Sequence, residues 1–128
     1  MLKISAMSIK ITLEELLASR NVWKRLGEAT LPVKTSYWVG KRLKAVESEL
    51  RDYDRHHNEL VKQYGAPVEG QPGRLQVKPE CMEEFIKLVT ELQEIAVELP
   101  FEPFSISDLE NAKLSVRDTV LLDKFLVE

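Results

Sequence analysis

The amino-acid sequence predicts a mainly α fold with a small β element, built on one long antiparallel helical hairpin of coiled-coil type. Val39, Leu43, Val46, Leu50, Tyr53, His57, Leu60 and Tyr64 recur at alternating steps of four and three residues, and all but His57 are apolar or aromatic. That spacing lays a continuous seam along one side of a helix, to be covered by a partner helix. No proline interrupts the chain between Pro32 and Pro67. Pro67, Gly70, Pro72 and Gly73 then crowd one short stretch before Pro79 opens a second helical pattern, the punctuation of a hairpin tip.

Taken in order, Ile9, Lys10 and Ile11 close an alternating opening, Met1 to Ile11, that predicts a short strand leading into a helix. Thr12 stands three residues before Glu15, the spacing of a reciprocal helix cap, so a first helix starts there. Leu13, Leu16, Leu17, Trp23 and Leu26 follow at helical spacing, Ser19 to Asn21 marks a kink, and Gly27 and Thr30-Leu31-Pro32 end the run. Pro32 suits a helix start, because its missing amide hydrogen is not needed there. The long helix is expected from Val33 to Tyr64, with Gly65 as a left-handed stop.

Around Gln71-Pro72-Gly73, Val68 and the run Arg74 to Val77 predict a small β-hairpin. Met82, Phe85, Val89, Leu92 and Ala96 return along the long helix, which gives a hairpin of residues 33–64 and 80–96. On that placement Glu83, Glu84, Glu91 and Glu94 come near the basic early part of the long helix. Pro100 and Pro103 keep Val97 to Phe104 extended, while Phe101 and Phe104 still require burial. Ser115 and Asp118 repeat the capping spacing, and Val116, Val120, Leu121, Phe125 and Leu126 fit a last short amphipathic helix. The whole chain, 1–128, is read as a single domain, with 97–128 docking on the hairpin. Trp23, Trp38, Phe101 and Phe104 exceed what a thin hairpin covers, which predicts a homo-oligomer.

At 128 residues and 44% hydrophobic content the chain can bury a core. Collagen, low-complexity disorder and a disulfide-stapled miniature are excluded by the same figures and by the single cysteine. No apolar run approaches the roughly 18 residues of a membrane-spanning helix, and the opening lacks the pattern of a secretory signal. A cytoplasmic location and no membrane partner are expected. Charge is uneven: residues 1–64 carry 12 Lys+Arg against 8 Asp+Glu, and residues 65–128 carry 6 against 13. Opposite signs predict that the later half folds back on the earlier half or on a neighbouring subunit.

Chemistry-bearing motifs are sparse. His56 and His57 diverge by about 100° on a helix, and no zinc-type spacing occurs, so no metal and no cofactor are expected. Cys81 lies in a helix first turn, but Glu80, Glu83 and Glu84 oppose its thiolate, which predicts a partly buried, inert thiol. No nucleophile elbow or phosphate loop exists, and Asp52 and Asp54 read as an ordinary exposed face. The chain is therefore read as non-enzymatic, with no catalytic residues. Gly40 costs about 1 kcal/mol inside a helix, which predicts a close approach by another element or, failing that, by a ligand. Beside it Lys34, Tyr37, Trp38, Lys41, Arg42 and Lys44 gather cations and aromatics, the composition that holds phosphates and stacks bases.

Leu60-Val61-Lys62-Gln63-Tyr64-Gly65, the turn-rich insert, Val77-Lys78-Pro79-Glu80 with Glu84-Phe85, Val97-Glu98-Leu99-Pro100-Phe101 and Ile106-Ser107-Asp108-Leu109 together resemble small uncharacterised proteins encoded by bacteriophages and prophages. The resemblance runs over residues 31–128. It implies a phage or prophage origin and a helical hairpin with a small β element, and it brings no catalytic residues. The leading expectation is a non-enzymatic phage protein that acts by protein–protein interaction through the seam or the hairpin tip, as an assembly factor or as an inhibitor of a host protein, in the host cytoplasm. The alternatives are nucleic-acid binding through the patch at 34–44, and capture of a small anionic ligand between subunits at the same patch. A net charge of −3 counts against nucleic acid.

Overall fold

The proline-free run forms one helix of 32 residues, α3 (Val33–Tyr64), about 48 Å long at 1.5 Å per residue. The computed structural model describes residues 8–127, so the part of the expected opening strand before Ser8 lies outside the described residues. The chain is mainly α with small two-stranded sheets. Before α3 come β1 (Ile9–Thr12), α1 (Leu13–Ala18) and α2 (Arg20–Glu28); after it come β2 (Gly65–Pro67), β3 (Leu75–Val77) and α4 (Met82–Gln93). The remainder holds β4 (Ala96–Leu99), β5 (Phe104–Ser105), α5 (Val116–Leu121) and β6 (Leu126–Val127).

Local chemistry sets most of these boundaries. Thr12 and Glu15 form the reciprocal cap of α1, with the Glu15 amide donating to Thr12 Oγ1 at 3.2 Å and the Thr12 amide to Glu15 Oε1 at 3.1 Å. Ser115 and Asp118 cap α5 in the same way. Buried Ser19 breaks the first helix in two, and its hydroxyl donates back to the Leu16 carbonyl at 2.8 Å. Gly27 does not end α2, which runs on to Glu28. A Cβ at Gly27 would stand 2.9 Å from Leu43 Cδ2, so this glycine permits close packing of α2 on α3.

The seam is covered within the chain. Val39, Val46, Leu50 and Tyr53 are buried, and Leu43, His57, Leu60 and Tyr64 are half-buried. Helices α1 and α2 pack on α3 together with α4 and the β2–β3 hairpin. Helix α4 meets the far half of α3: Gln93 Nε2 donates to Tyr53 Oη at 3.2 Å, and His57 lies between Tyr53 and Phe85 with both ring centroids at 5.8 Å. Consequently Glu83, Glu84, Glu91 and Glu94 do not reach the basic early part of α3, contrary to the expected placement.

The return helix stops sooner than its periodicity predicts. Ala96 opens β4, which pairs antiparallel with β1 from Thr12↔Ala96 to Ile9↔Leu99. Beneath this ribbon Trp23 stacks edge-on against Phe125 at 5.0 Å and lies 6.0 Å from Phe104, with Leu16, Val22, Val46, Leu99 and Leu122 around them. Burying each such side chain contributes about 1.5–3 kcal/mol. Trp23 and Phe104 are therefore covered inside one chain and Phe101 is half-buried, leaving Trp38 exposed. Of these four side chains only Trp38 is exposed to meet another subunit. At the C-terminal end Val116 and Val120 face outward rather than inward, and Phe125 and Leu126 lie beyond α5, where β6 pairs in parallel with β5.

Charges of opposite sign do join the two halves. Arg25 grips buried Asp118 with both ends of its guanidinium, Nη2 to Oδ1 at 2.6 Å and Nη1 to Oδ2 at 3.0 Å. Arg25, then the Ser115 amide, hold the Asp118 carboxyl below its ordinary value of 3.8. The Thr12 amide, opposed by desolvation and aided by Lys124, lowers Glu15 from 4.5.

Both carboxyls have depressed values in the fold, so their stabilisation is present above about pH 4.5 and is lost as pH falls through the depressed values. Asp118→Asn should lower the thermal midpoint at pH 7, with the gap to wild type narrowing as pH falls below the ordinary carboxyl value of 3.8 in a calorimetric series. Gly40 and Gly65 should respond oppositely to alanine. Nothing lies within 4 Å of a Cβ at Gly40, which corrects the expected close approach, whereas at Gly65 the Val61 carbonyl oxygen blocks it. Gly65 has φ −100°, not a left-handed value. Gly40→Ala should stabilise by about 1 kcal/mol and Gly65→Ala should destabilise by about 1–3 kcal/mol in chemical denaturation.

Candidate functional site

On the first turns of α3, residues 34, 38, 41 and 45 are spaced by four, three and four, so they share one flank of the helix. This flank lies beside the seam rather than on it. Facing it runs the segment Pro100 to Ser105, kept out of helix by Pro100 and Pro103 and anchored by buried Phe104. Between flank and segment lies an open groove of about 1040 Å³. Trp38, Pro100, Phe101 and Pro103 supply apolar surface, Lys34, Lys41 and Lys44 supply cations, and Glu102 and Asp108 supply carboxylates.

Arg42 sits at the base of this arrangement and is only 9% exposed. Its Nε donates to the Glu102 carbonyl at 3.1 Å and its Nη1 to the Trp38 carbonyl at 3.2 Å. The guanidinium carbon is 4.5 Å from the Phe104 ring centroid and 5.3 Å from that of Phe101, within range of cation–π attraction. Desolvation lowers the Arg42 pKa, while the charges of Glu102 and Asp108 act in the opposite sense. Arg42 thus fastens the C-terminal segment to the long helix.

Of the cluster predicted from sequence, the structure gathers Lys34, Trp38, Lys41, Arg42 and Lys44 around the groove. Tyr37 stays outside it, edge-on to Trp38 at 5.2 Å and with Lys41 Nζ 5.3 Å from its ring. Tyr37 and Trp38 are 57% and 54% exposed. The other wall was missed as part of a site. Its signal was present as two phenylalanines in a proline-kept extended stretch, for which sequence reasoning asked only burial. One chain forms both walls, so an anionic ligand held here needs no second subunit.

Elsewhere the chemistry is plain. Among the described residues no group of three or more His, Cys, Asp or Glu is placed to hold a metal ion, Cys81 is a half-buried free thiol, and no helix is long and apolar enough to cross a membrane. Comparison with protein-family models, with curated proteins and with solved structures finds no match.

The different settings of Lys41 and Arg42 are separable by experiment. Lys41→Glu should leave stability within about 0.5 kcal/mol of wild type, as for an exposed position. Arg42→Glu should cost about 3 kcal/mol or more, because it buries an unpaired carboxylate and releases the C-terminal segment. Urea denaturation of the two variants reads the contrast, and equal costs would contradict the fastening role.

Proposed function

We propose that this chain is a non-enzymatic interaction protein that holds a segment of a partner protein in the groove between the start of α3 and the Pro100–Ser105 segment. The groove carries this reading: an apolar bed with a lysine rim matches the mixture of aromatic anchors and polar rim that protein interfaces use. The apolar seam is engaged by the chain's own helices, which supports reading the flank of α3, rather than the seam itself, as the contact surface. The resemblance to phage and prophage proteins adds a setting to the proposal, in which the partner is a phage component being assembled or a host protein being inhibited in the host cytoplasm.

A photocrosslinking residue tests the location. Benzoylphenylalanine in place of Trp38 should give a discrete protein adduct in cells, while the same residue in place of exposed His56 should not. Adducts from position 56 alone, or none from position 38, would contradict the assignment. A second reading has its own observation: exposed Tyr37 and Trp38 stand beside three lysines, as in surfaces that stack bases and track phosphates. Under that reading a labelled oligodeoxythymidylate binds with steep salt dependence, and Lys41→Glu with Lys44→Glu abolishes binding. Arg42 is left intact in that test, because it supports the fold.

A further inference from the structure

Arg42 is a buried charge with no close ion pair among the described residues, and Glu102 and Asp108 act on it only from a longer range. Among the described residues no carboxylate oxygen lies within 4.0 Å of its guanidinium, and the four ion pairs present involve other residues. Of the five N–H donors an arginine carries, one on Nε and one on Nη1 are taken by main-chain carbonyls. Among the described residues Nη2 has no acceptor, and it is not one of the side-chain atoms sealed from solvent without a partner. Two carbonyls and two aromatic rings hold the guanidinium in place, the N–H groups of Nη2 have no acceptor among the described residues, and Arg42 lines the groove. A fork fixed in this way is pre-organised for a planar oxyanion.

The surroundings select among oxyanions. Lys34, Lys41 and Lys44 favour negative charge, and Glu102 and Asp108 in the same groove temper that preference. Trp38, Phe101 and the two prolines offer an apolar bed beside the charge. We propose that Arg42 is the receptor for a carboxylate on an acidic, aromatic segment of a partner protein, whose neighbouring aromatic side chain lies on Trp38 and Phe101. This rests on the groove being the binding site, and it adds the chemistry of what the groove takes. The partner's carboxylate supplies the close ion pair that Arg42 lacks among the described residues.

The test uses the full chain and four probes: a capped peptide alternating phenylalanine and aspartate, its asparagine counterpart, the same peptide with phosphoserine for aspartate, and an oligodeoxythymidylate. Binding is followed by fluorescence anisotropy, and amide and indole shifts in nitrogen-15 NMR report the location. The aspartate peptide should bind with shifts at Trp38 and Arg42, and at least about tenfold more tightly than the asparagine peptide, the size expected for a charge-assisted hydrogen bond. Arg42→Lys, which keeps the charge and loses the fork, should remove most of that ratio while Trp38 shifts persist. The wild-type ratio needs no variant, so it stands even if Arg42→Lys is unstable. Equal binding of aspartate and asparagine peptides with shifts at Trp38 would overturn the Arg42 receptor and leave the groove reading intact. No peptide binding at all would overturn both. Tighter binding of the phosphoserine peptide would overturn the choice of carboxylate, and preference for the oligonucleotide would overturn the choice of a protein partner.

Discussion

A helix about 48 Å long cannot leave one whole side apolar in water, and the arrangement of every other element answers that requirement. Two short helices cover the early seam, with Gly27 letting α2 approach Leu43 closely, and α4 with the β2–β3 hairpin covers the far end. The antiparallel ribbon of β1 and β4 ties the beginning of the chain to the segment after α4. From that ribbon the chain must cross back over α3, and it does so as the proline-bearing stretch that forms one wall of the groove.

The groove is therefore a by-product of covering the seam, and Arg42 is where the two meet. Hydrogen bonds from a charged group contribute about 1.5–3 kcal/mol each, and stacking on aromatic faces about 0.5–2 kcal/mol. Against these stands a desolvation cost of several kcal/mol for an ion removed from water. The two hydrogen bonds and the two aromatic faces offset that cost, so Arg42 is held without a close ion pair among the described residues. Its lysine neighbours remain exposed and free of such constraints. One cation thus holds the segment in place, and the others set the field around it.

Much of this architecture was legible because it is local. The caps at Thr12 and Ser115, the break at Ser19, the extent of α3 and the tip hairpin each follow from residues within a few positions of one another. What was not legible depends on distant partners. Ala96 continues a helical spacing, yet it pairs with Thr12 across the chain, and no window around Ala96 contains that partner. Trp23 and Phe104 looked surplus because their mutual packing with Phe125 joins three remote segments. Gly40 looked like a contact point and faces open space. For the candidate site, the lysines and Trp38 were found by composition, while Arg42 read as one more surface cation until the Phe101–Phe104 stretch was seen to cover it.

The chain's own elements cover the seam from Val39 to Tyr64, and the proposed partner site lies beside it on the flank at Trp38 and Arg42. Thermal unfolding followed by circular dichroism across a hundredfold range of protein concentration tests that coverage most directly. A core completed within one chain predicts a midpoint that does not move with concentration. A midpoint that climbs steadily as the protein is concentrated, the mark of subunits that fold only together, would contradict it.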